Sequence, residues 1–429
     1  MGMKAVKFGG TSLSHAEQIK KAAEIVQSDK ERRIVTVSAP GKRFPQDEKI
    51  TDLLYRMDKA ENWDKREEIF SLIRRRFDTI IQDLNLSLDF SKEYGEISEG
   101  KIKGDALFGK GEYFCARIFS ALIGYSFVDA SEVIFFDEKG NPDLPKIKKA
   151  IGEAIKTKEN IVIPGFYGRK PNGEIAVFPR GGSDITGALT AYAAEADVYE
   201  NFTDVNGFLL ADPRMVSDPE TVKEISYGEL RRLSSMGACV LHADSVLPLK
   251  ESEIPILIRN TNDPNGAYTK ICAKKTGLSY SGIVGQKGYL LFSVVLREIG
   301  TNLSDFQRLL SFFEHHVKRV YSTPHSVDSV GILVRKEELN FDQNRLVEAL
   351  CENFCAESVS VTEQIALLSL IGEGTSAEGT RRILNAMKEI GAQPILLDGG
   401  ADSLGITVGF HEAYLLPLIQ KISAEIAHG

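Results

Sequence analysis

Short apolar runs rich in β-branched residues alternate along the chain with longer stretches whose apolar positions recur every three to four residues. That alternation of period-2 and period-3.6 patterning is the signature of a layered α/β fold. Ala5-Val6-Lys7-Phe8, Ile34-Val35-Thr36-Val37, Ile161-Val162-Ile163 and Pro255-Ile256-Leu257-Ile258 each read as a buried strand running into a loop. Helical spacing is clearest from Lys65 to Leu84, Glu112 to Ile123, Ile185 to Ala196 and Tyr227 to Met236, and these helices are expected to cover the sheet faces. Arg74-Arg75-Arg76 lies within the first of them and reads as a solvated face. The polar segment from Gly41 to Ile50, broken by Gly and Pro, predicts a surface loop before a helix at Asp52.

The pattern changes after Gly277. Two stretches, 280–350 and 362–429, each read strand, helix, strand, with turns at Gly300-Thr301-Asn302 and Gly372-Glu373-Gly374 leading into helices. They form a weak internal repeat of a small α+β unit. The expected organisation is one α/β domain over 1–277 and a paired α+β region over 278–429, whose two modules can interlock.

With 429 residues, two or three domains of ~150 residues are expected. A formal net charge of −8 argues against a general nucleic-acid binder, which needs a basic face. The longest apolar stretch, near Tyr289 to Leu296, is too short for a membrane span. Met1-Gly2-Met3-Lys4 leads into a strand without an apolar signal segment, and Val6 breaks the myristoylation pattern. A cytoplasmic protein is therefore expected. Cys115, Cys239, Cys272, Cys351 and Cys355 are odd in number and scattered, which disfavours a disulfide framework. Neither Cys351 with Cys355 nor the His315-His316 pair makes a metal site, since no matching second pair follows the cysteines and adjacent histidines on a helix diverge.

Three clusters carry chemistry. Lys7-Phe8-Gly9-Gly10-Thr11-Ser12 follows a strand and precedes a helix opening near Ser14. Glycines let a backbone approach phosphate, helix-start N–H groups attract anions, and Lys7 adds a full charge. The same residues also suit a tight turn with an incidental lysine, and the spacing is not that of a Walker loop. Pro164-Gly165-Phe166-Tyr167-Gly168 is followed by Arg180-Gly181-Gly182-Ser183-Asp184-Ile185-Thr186-Gly187. Arg180 suits a carboxylate, while Ser183 and Asp184 equally suit helix caps. Two Gly-rich helix starts, one with Lys and one with Arg and Asp, fit a site holding two anions side by side. Thr203-Asp204-Val205-Asn206-Gly207 and Ala211-Asp212-Pro213-Arg214 bracket a short apolar segment, as a hairpin or loop or as nucleotide contacts. Glu112, at a helix start, answers the helix dipole or meets a substrate ammonium.

In order, the Val6 to Ser12 start, Gly111-Glu112, Arg180 to Asp184, Thr203 to Arg214 and Gly237-Ala238 with Val240-Leu241-His242 resemble the aspartate kinases over nearly the whole chain. The tail resembles that family's paired ACT regulatory modules, which are ferredoxin-like. The resemblance implies that Lys7, Gly9 and Gly10 hold the ATP phosphates. It implies that Thr51, Glu112, Arg180 and Ser183 bind L-aspartate, and that Asp184 organises the reacting groups with Lys7. Thr203, Asp204, Asp212 and Arg214 would line the nucleotide. Mg²⁺ would ride on the nucleotide phosphates, lysine or threonine would be the feedback ligand of the tail, and the chain would form a homodimer or higher homo-oligomer.

Asn206, Leu209, Cys239 and Ala243 stand where many family members have Asp, Tyr, Lys and Pro. Thr301-Asn302-Leu303-Ser304-Asp305 replaces a Gly-Phe pair at the first tail helix. A glutamate-type amino-acid kinase and a catalytically weak amino-acid sensor are the competing readings.

Overall fold

In a computed structural model, the chain is described at residues 2–179, 181–237, 241, 246–277, 279–399 and 404–427. It divides into two compact units. The first is Met1–Phe208 with Thr221–Ser234 and Cys239–Thr276, and the second is Leu209–Glu220 with Ser235–Ala238 and Gly277–Gly429.

In the first unit the elements run β1 (Lys4–Phe8), α1 (Ala16–Gln27), β2 (Arg32–Val37), α2 (Ile50–Asp58), α3 (Trp63–Asp83), α4 (Ser91–Ser98), α5 (Gly104–Phe108) and α6 (Lys110–Ile123). They continue with β3 (Ser126–Phe127), α7 (Ala130–Val133), α8 (Leu144–Lys158), β4 (Ile161–Pro164), β5 (Tyr167–Arg169), β6 (Ile175–Val177), α9 (Gly182–Ala193) and β7 (Val198–Thr203). The last are β8 (Glu224–Ser226), α10 (Tyr227–Ser235), α11 (Leu247–Glu251), β9 (Ile256–Asn260) and β10 (Thr269–Cys272).

Eight strands make one sheet in the order β3-β4-β2-β1-β7-β9-β10-β8. The central strands β4, β2, β1, β7 and β9 are all parallel, so their carboxyl ends open on one side. In open parallel sheets that side is where ligands bind. Successive residues of β1 face opposite layers, as the pleat requires. Phe8 lies 5.8 Å from Phe119 of α6, whereas Lys7 Cβ faces Gly187 of α9. Helices therefore cover both faces. The four expected strands and four expected helices are present, each within about three residues of its reading.

The solvated-face reading of the arginine run holds for Arg74 and Arg75, which are exposed, and fails for Arg76. Arg76 is 6% exposed, because α3 packs Ile69, Phe70, Ile73, Phe77 and Ile80 into the core and Arg76 falls on that face.

The second unit carries β11 (Gly282–Val295), α12 (Leu303–Glu314), β12 (Ser329–Arg335), α13 (Gln343–Phe354), β13 (Ser358–Ile371), α14 (Ser376–Ile390), β14 (Pro394–Asp398), β15 (Gly405–His411) and α15 (Leu415–Ala427). The two halves repeat strand, helix and strand as expected, and each ends in a further helix. They share one antiparallel sheet, ordered β12-β11-β13-β15-β14, in which the long β11 and β13 join the halves. Asn302 caps α12 through its side chain, which accepts from the N–H groups of Ser304 and Asp305. Among the described residues no helix is long and apolar enough to cross a membrane.

Candidate active site

Lys7 is the penultimate residue of β1, buried among parallel neighbours yet charged. Such a group needs a partner. Its Nζ lies 2.7 Å from Oδ1 of Asp184, in the first turn of α9, and 3.5 Å from Oδ1 of Asn201 on β7. Asn201 Nδ2 donates to the same Asp184 oxygen at 2.9 Å. Lysine, aspartate and asparagine thus close a triangle at the carboxyl edge of the sheet. Asp184 retains 19% side-chain exposure, leaving one side open to a ligand.

The capping reading of Ser183 and Asp184 does not hold: α9 starts at Gly181 with no side-chain cap. Gly181 takes φ +82, a left-handed conformation that suits glycine, and this frees Asp184 for Lys7. Ser183 packs against Gly165, where an added Cβ would come within 2.7 Å of its Oγ. Phe166, beside it, holds φ +77, an uncommon and strained value of the kind found at functional sites.

The turn after β1 is fixed by backbone. Gly9 N donates to Phe202 O at 3.0 Å, and Gly41 N, from the loop after β2, donates to Gly10 O at 2.7 Å. An added Cβ on Gly41 would lie 2.6 Å from the Gly10 carbonyl carbon, so these two turns touch only because both residues are glycine. Ser12 Oγ and Thr261 Oγ1 are 2.6 Å apart and buried beneath the turn.

Glu112, in the first turn of α6, is 4% exposed and its Oε2 has no hydrogen-bond partner. Burial pushes its carboxyl up to about 8, against the pull of the Ala39 backbone N–H. A buried carboxyl with one orphaned oxygen is incomplete without a donor. Neighbouring Gly111 lies so close to Ala39 and Ile50 that a Cβ would meet them at 2.8 and 3.1 Å, and Thr51 follows Ile50 in the first turn of α2.

Thr203 closes β7, and its Oγ1 donates to Asp204 at 3.2 Å. Asp212 and Arg214 belong to the second unit, where they pair with each other at 2.6 Å. Asn206 accepts from Asn260 Nδ2 at 2.7 Å, and Leu209 begins the second unit. Arg180, Ala238, Cys239, Val240, His242 and Ala243 lie outside the described residues.

The sequence profile of the amino acid kinase family matches residues 2–260. Aspartokinase 3 of Bacillus subtilis (strain 168) is 30% identical over 100% of this chain and 99% of its own length. The chain belongs to the amino acid kinase family, among its aspartokinases.

The crystal structure of aspartate kinase from Clostridium acetobutylicum is similar over 100% of both chains, with a TM-score of 0.92 and 32% identity. Lysine-sensitive aspartokinase 3 of Escherichia coli (strain K12) is 27% identical over 62% of this chain and 64% of its own. Aspartokinase III of E. coli, in a structure with aspartate and ADP, shares the fold at a TM-score of 0.74 and 22% identity.

In this aspartokinase Asn201, Ala39 and Gly41 were not legible in advance as residues of the site. The signal for Asn201 was a polar side chain inside an otherwise buried parallel strand, which must have a partner. Ala39 and Gly41 act through backbone atoms, which no residue type advertises.

Proposed function

We propose that the chain phosphorylates the side-chain carboxylate of L-aspartate from ATP, giving 4-phospho-aspartate and ADP, through the cluster at the carboxyl edge of the first unit's sheet. One carboxylate oxygen of aspartate attacks the γ-phosphorus, the P–O bond to the β-phosphate breaks, and the electron pair leaves with ADP. An ionised carboxylate, with a reference pKa of ~4, needs no general base, so positioning and charge neutralisation carry the reaction.

The observation that carries this reading is Lys7, buried at the end of β1 and 2.7 Å from Asp184 beside two glycine-rich turns. Lys7 would trade part of its bond to Asp184 for the transferring phosphoryl group, with Asn201 holding Asp184 in place. Gly9 and Gly10 present backbone to the phosphates, and Thr203 and Asp204 reach the nucleotide. Glu112 receives the substrate ammonium, with Thr51, Ser183 and Arg180 on the remaining polar groups.

Mg²⁺ fits as a passenger of the nucleotide. Among the described residues no three His, Cys, Asp or Glu side chains converge to hold a metal, and Mg²⁺ commonly keeps water and phosphate oxygens with one or two carboxylates. Asp184 is the carboxylate available, and the ion would neutralise charge on the transferred group. The second unit serves as the regulatory region, taking lysine or threonine, in a cytoplasmic homo-oligomer.

Lys7→Ala tests the assignment. Turnover should fall by about 10³-fold, while aspartate affinity stays within a few-fold, because the cation acts on the transferred group. Near-normal turnover would remove Lys7 from the reaction.

A further inference from the structure

Four links meet at one short segment, Ala39 to Gly41, in the loop that follows β2. The Ala39 backbone N–H exerts an electrostatic pull on the Glu112 carboxylate. Pro40 O accepts from Ile50 N at 3.3 Å, opening the helix that carries Thr51. Gly41 N donates to Gly10 O at 2.7 Å. Gly41 O accepts from the guanidinium of Arg76. The segment therefore joins the phosphate turn to the groups assigned to aspartate, and its outer side rests on one side chain.

Arg76 holds more than this carbonyl. Its Nη2 also donates to Ser14 O at 3.1 Å, at the end of the glycine turn after β1. Its Nη1 donates to Asp47 Oδ2 at 2.9 Å and to Glu48 O at 3.1 Å, in the polar stretch before α2. One planar cation thus ties the loop after β1 to the loop after β2 at three carbonyls and a carboxylate. Only a fork of fixed geometry satisfies that set, and an ammonium has no equivalent.

Burial pulls the guanidinium's affinity for its proton down and nearby Arg43 adds to this, while Asp47 opposes both. A charge kept buried on a core helix, where its fork reaches both loops, has a positional use.

We propose that Arg76 is a positioning residue of the phosphoryl-transfer site: it sets the separation of the phosphate turn and the aspartate-binding groups by clamping Gly41 and Ser14. It touches neither substrate. The inference rests on the assignment of Lys7, Gly10, Thr51 and Glu112 to the site. Displacing one loop against the other separates the attacking carboxylate from the γ-phosphorus, a misplacement of about 1 Å being enough to cost about 10²-fold in rate.

The test is steady-state kinetics on Arg76→Ala and Arg76→Lys in the full chain, with both substrates varied and melting curves recorded on the same preparations. The expected result is a fall in kcat of about ten- to a hundredfold in Arg76→Ala, with a raised KM for aspartate, in a protein that still melts cooperatively. Arg76→Lys keeps the charge and most of the volume but not the fork, so its kcat should also fall. It supplies the answer if Arg76→Ala does not fold. Methylguanidinium added to Arg76→Ala should restore part of kcat.

Folded variants with kcat and both KM values within twofold of the parent, however much their melting points drop, would overturn the proposal and leave Arg76 as structural support only. Lys7→Ala run alongside separates the two readings. If Lys7→Ala loses turnover and the Arg76 variants do not, this inference alone fails; if Lys7→Ala keeps turnover, the site assignment fails.

Discussion

With the substrate ammonium proposed to lie at Glu112, this carboxyl is predicted to couple pH to both stability and substrate binding. Its carboxyl, pushed up to about 8 by burial, is protonated in the folded ligand-free chain at neutral pH. In the unfolded chain it ionises near the ordinary value of ~4.3. The folded state therefore binds the extra proton between these limits, and stability falls as pH rises from about 4 to about 8, levelling off above. An aspartate ammonium placed there would reverse the preference by favouring the ionised form, so aspartate binding should expel a proton and KM for aspartate should drop as pH climbs toward 8. Glu112→Gln should remove both pH dependences and raise KM for aspartate by about tenfold or more. Parallel pH series of melting points and initial rates check this; an unchanged slope in the variant would detach Glu112 from the substrate.

Which residues could be found in advance follows from what marks them locally. Lys7 is a charge in an apolar run and Glu112 follows a glycine at a helix start, so both stand out in sequence. Arg76 does not, because Arg74, Arg75 and Arg76 look alike until the phase of α3 against the core decides which one is buried.

At the scale of elements, strand and helix positions were legible because apolar periodicity fixes them, and β1, β2, β4 and β9 fell where their β-branched runs lie. The start of α9 was legible only as a helix start. Whether Ser183 and Asp184 cap it or serve the site depends on Gly181 adopting the left-handed conformation, a backbone property that residue type allows but does not dictate.

The packing of α9 on the sheet depends on a second glycine. A Cβ on Gly187 would lie 2.3 Å from the Tyr199 hydroxyl and 3.1 Å from Lys7 Cβ. That hydroxyl is buried and has no hydrogen-bond partner. Gly187→Ala should destabilise the chain by about 1–3 kcal/mol through overpacking, and should lower turnover by shifting Lys7. Tyr199→Phe deletes the colliding oxygen and leaves nothing unsatisfied, so alone it should be close to neutral. Combined with Gly187→Ala it should recover most of the lost stability. Denaturant melts of the four proteins in this cycle would show it, and simple additivity of the two changes would contradict the contact.

Over the whole molecule, the change of pattern after Gly277 was legible and the two tail modules could be read as able to interlock, but the strands that would join them could not be named. Pairing of β11 with β13 joins segments about seventy residues apart, and sequence periodicity carries no information at that range. Equally illegible was the assignment of Leu209–Glu220, with Asp212 and Arg214, to the second unit.

If the second unit is regulatory, added lysine or threonine should lower aspartate-dependent turnover in the full chain at subsaturating aspartate. Rates unchanged by either amino acid up to millimolar levels would reject both as its ligand.

The central claim is the acceptor. Acyl phosphate formed from ATP and Mg²⁺ should be trapped with hydroxylamine, using aspartate and glutamate in parallel. Hydroxamate that appears with aspartate and depends on ATP is the predicted result. Product with glutamate alone, or with neither amino acid, would contradict it.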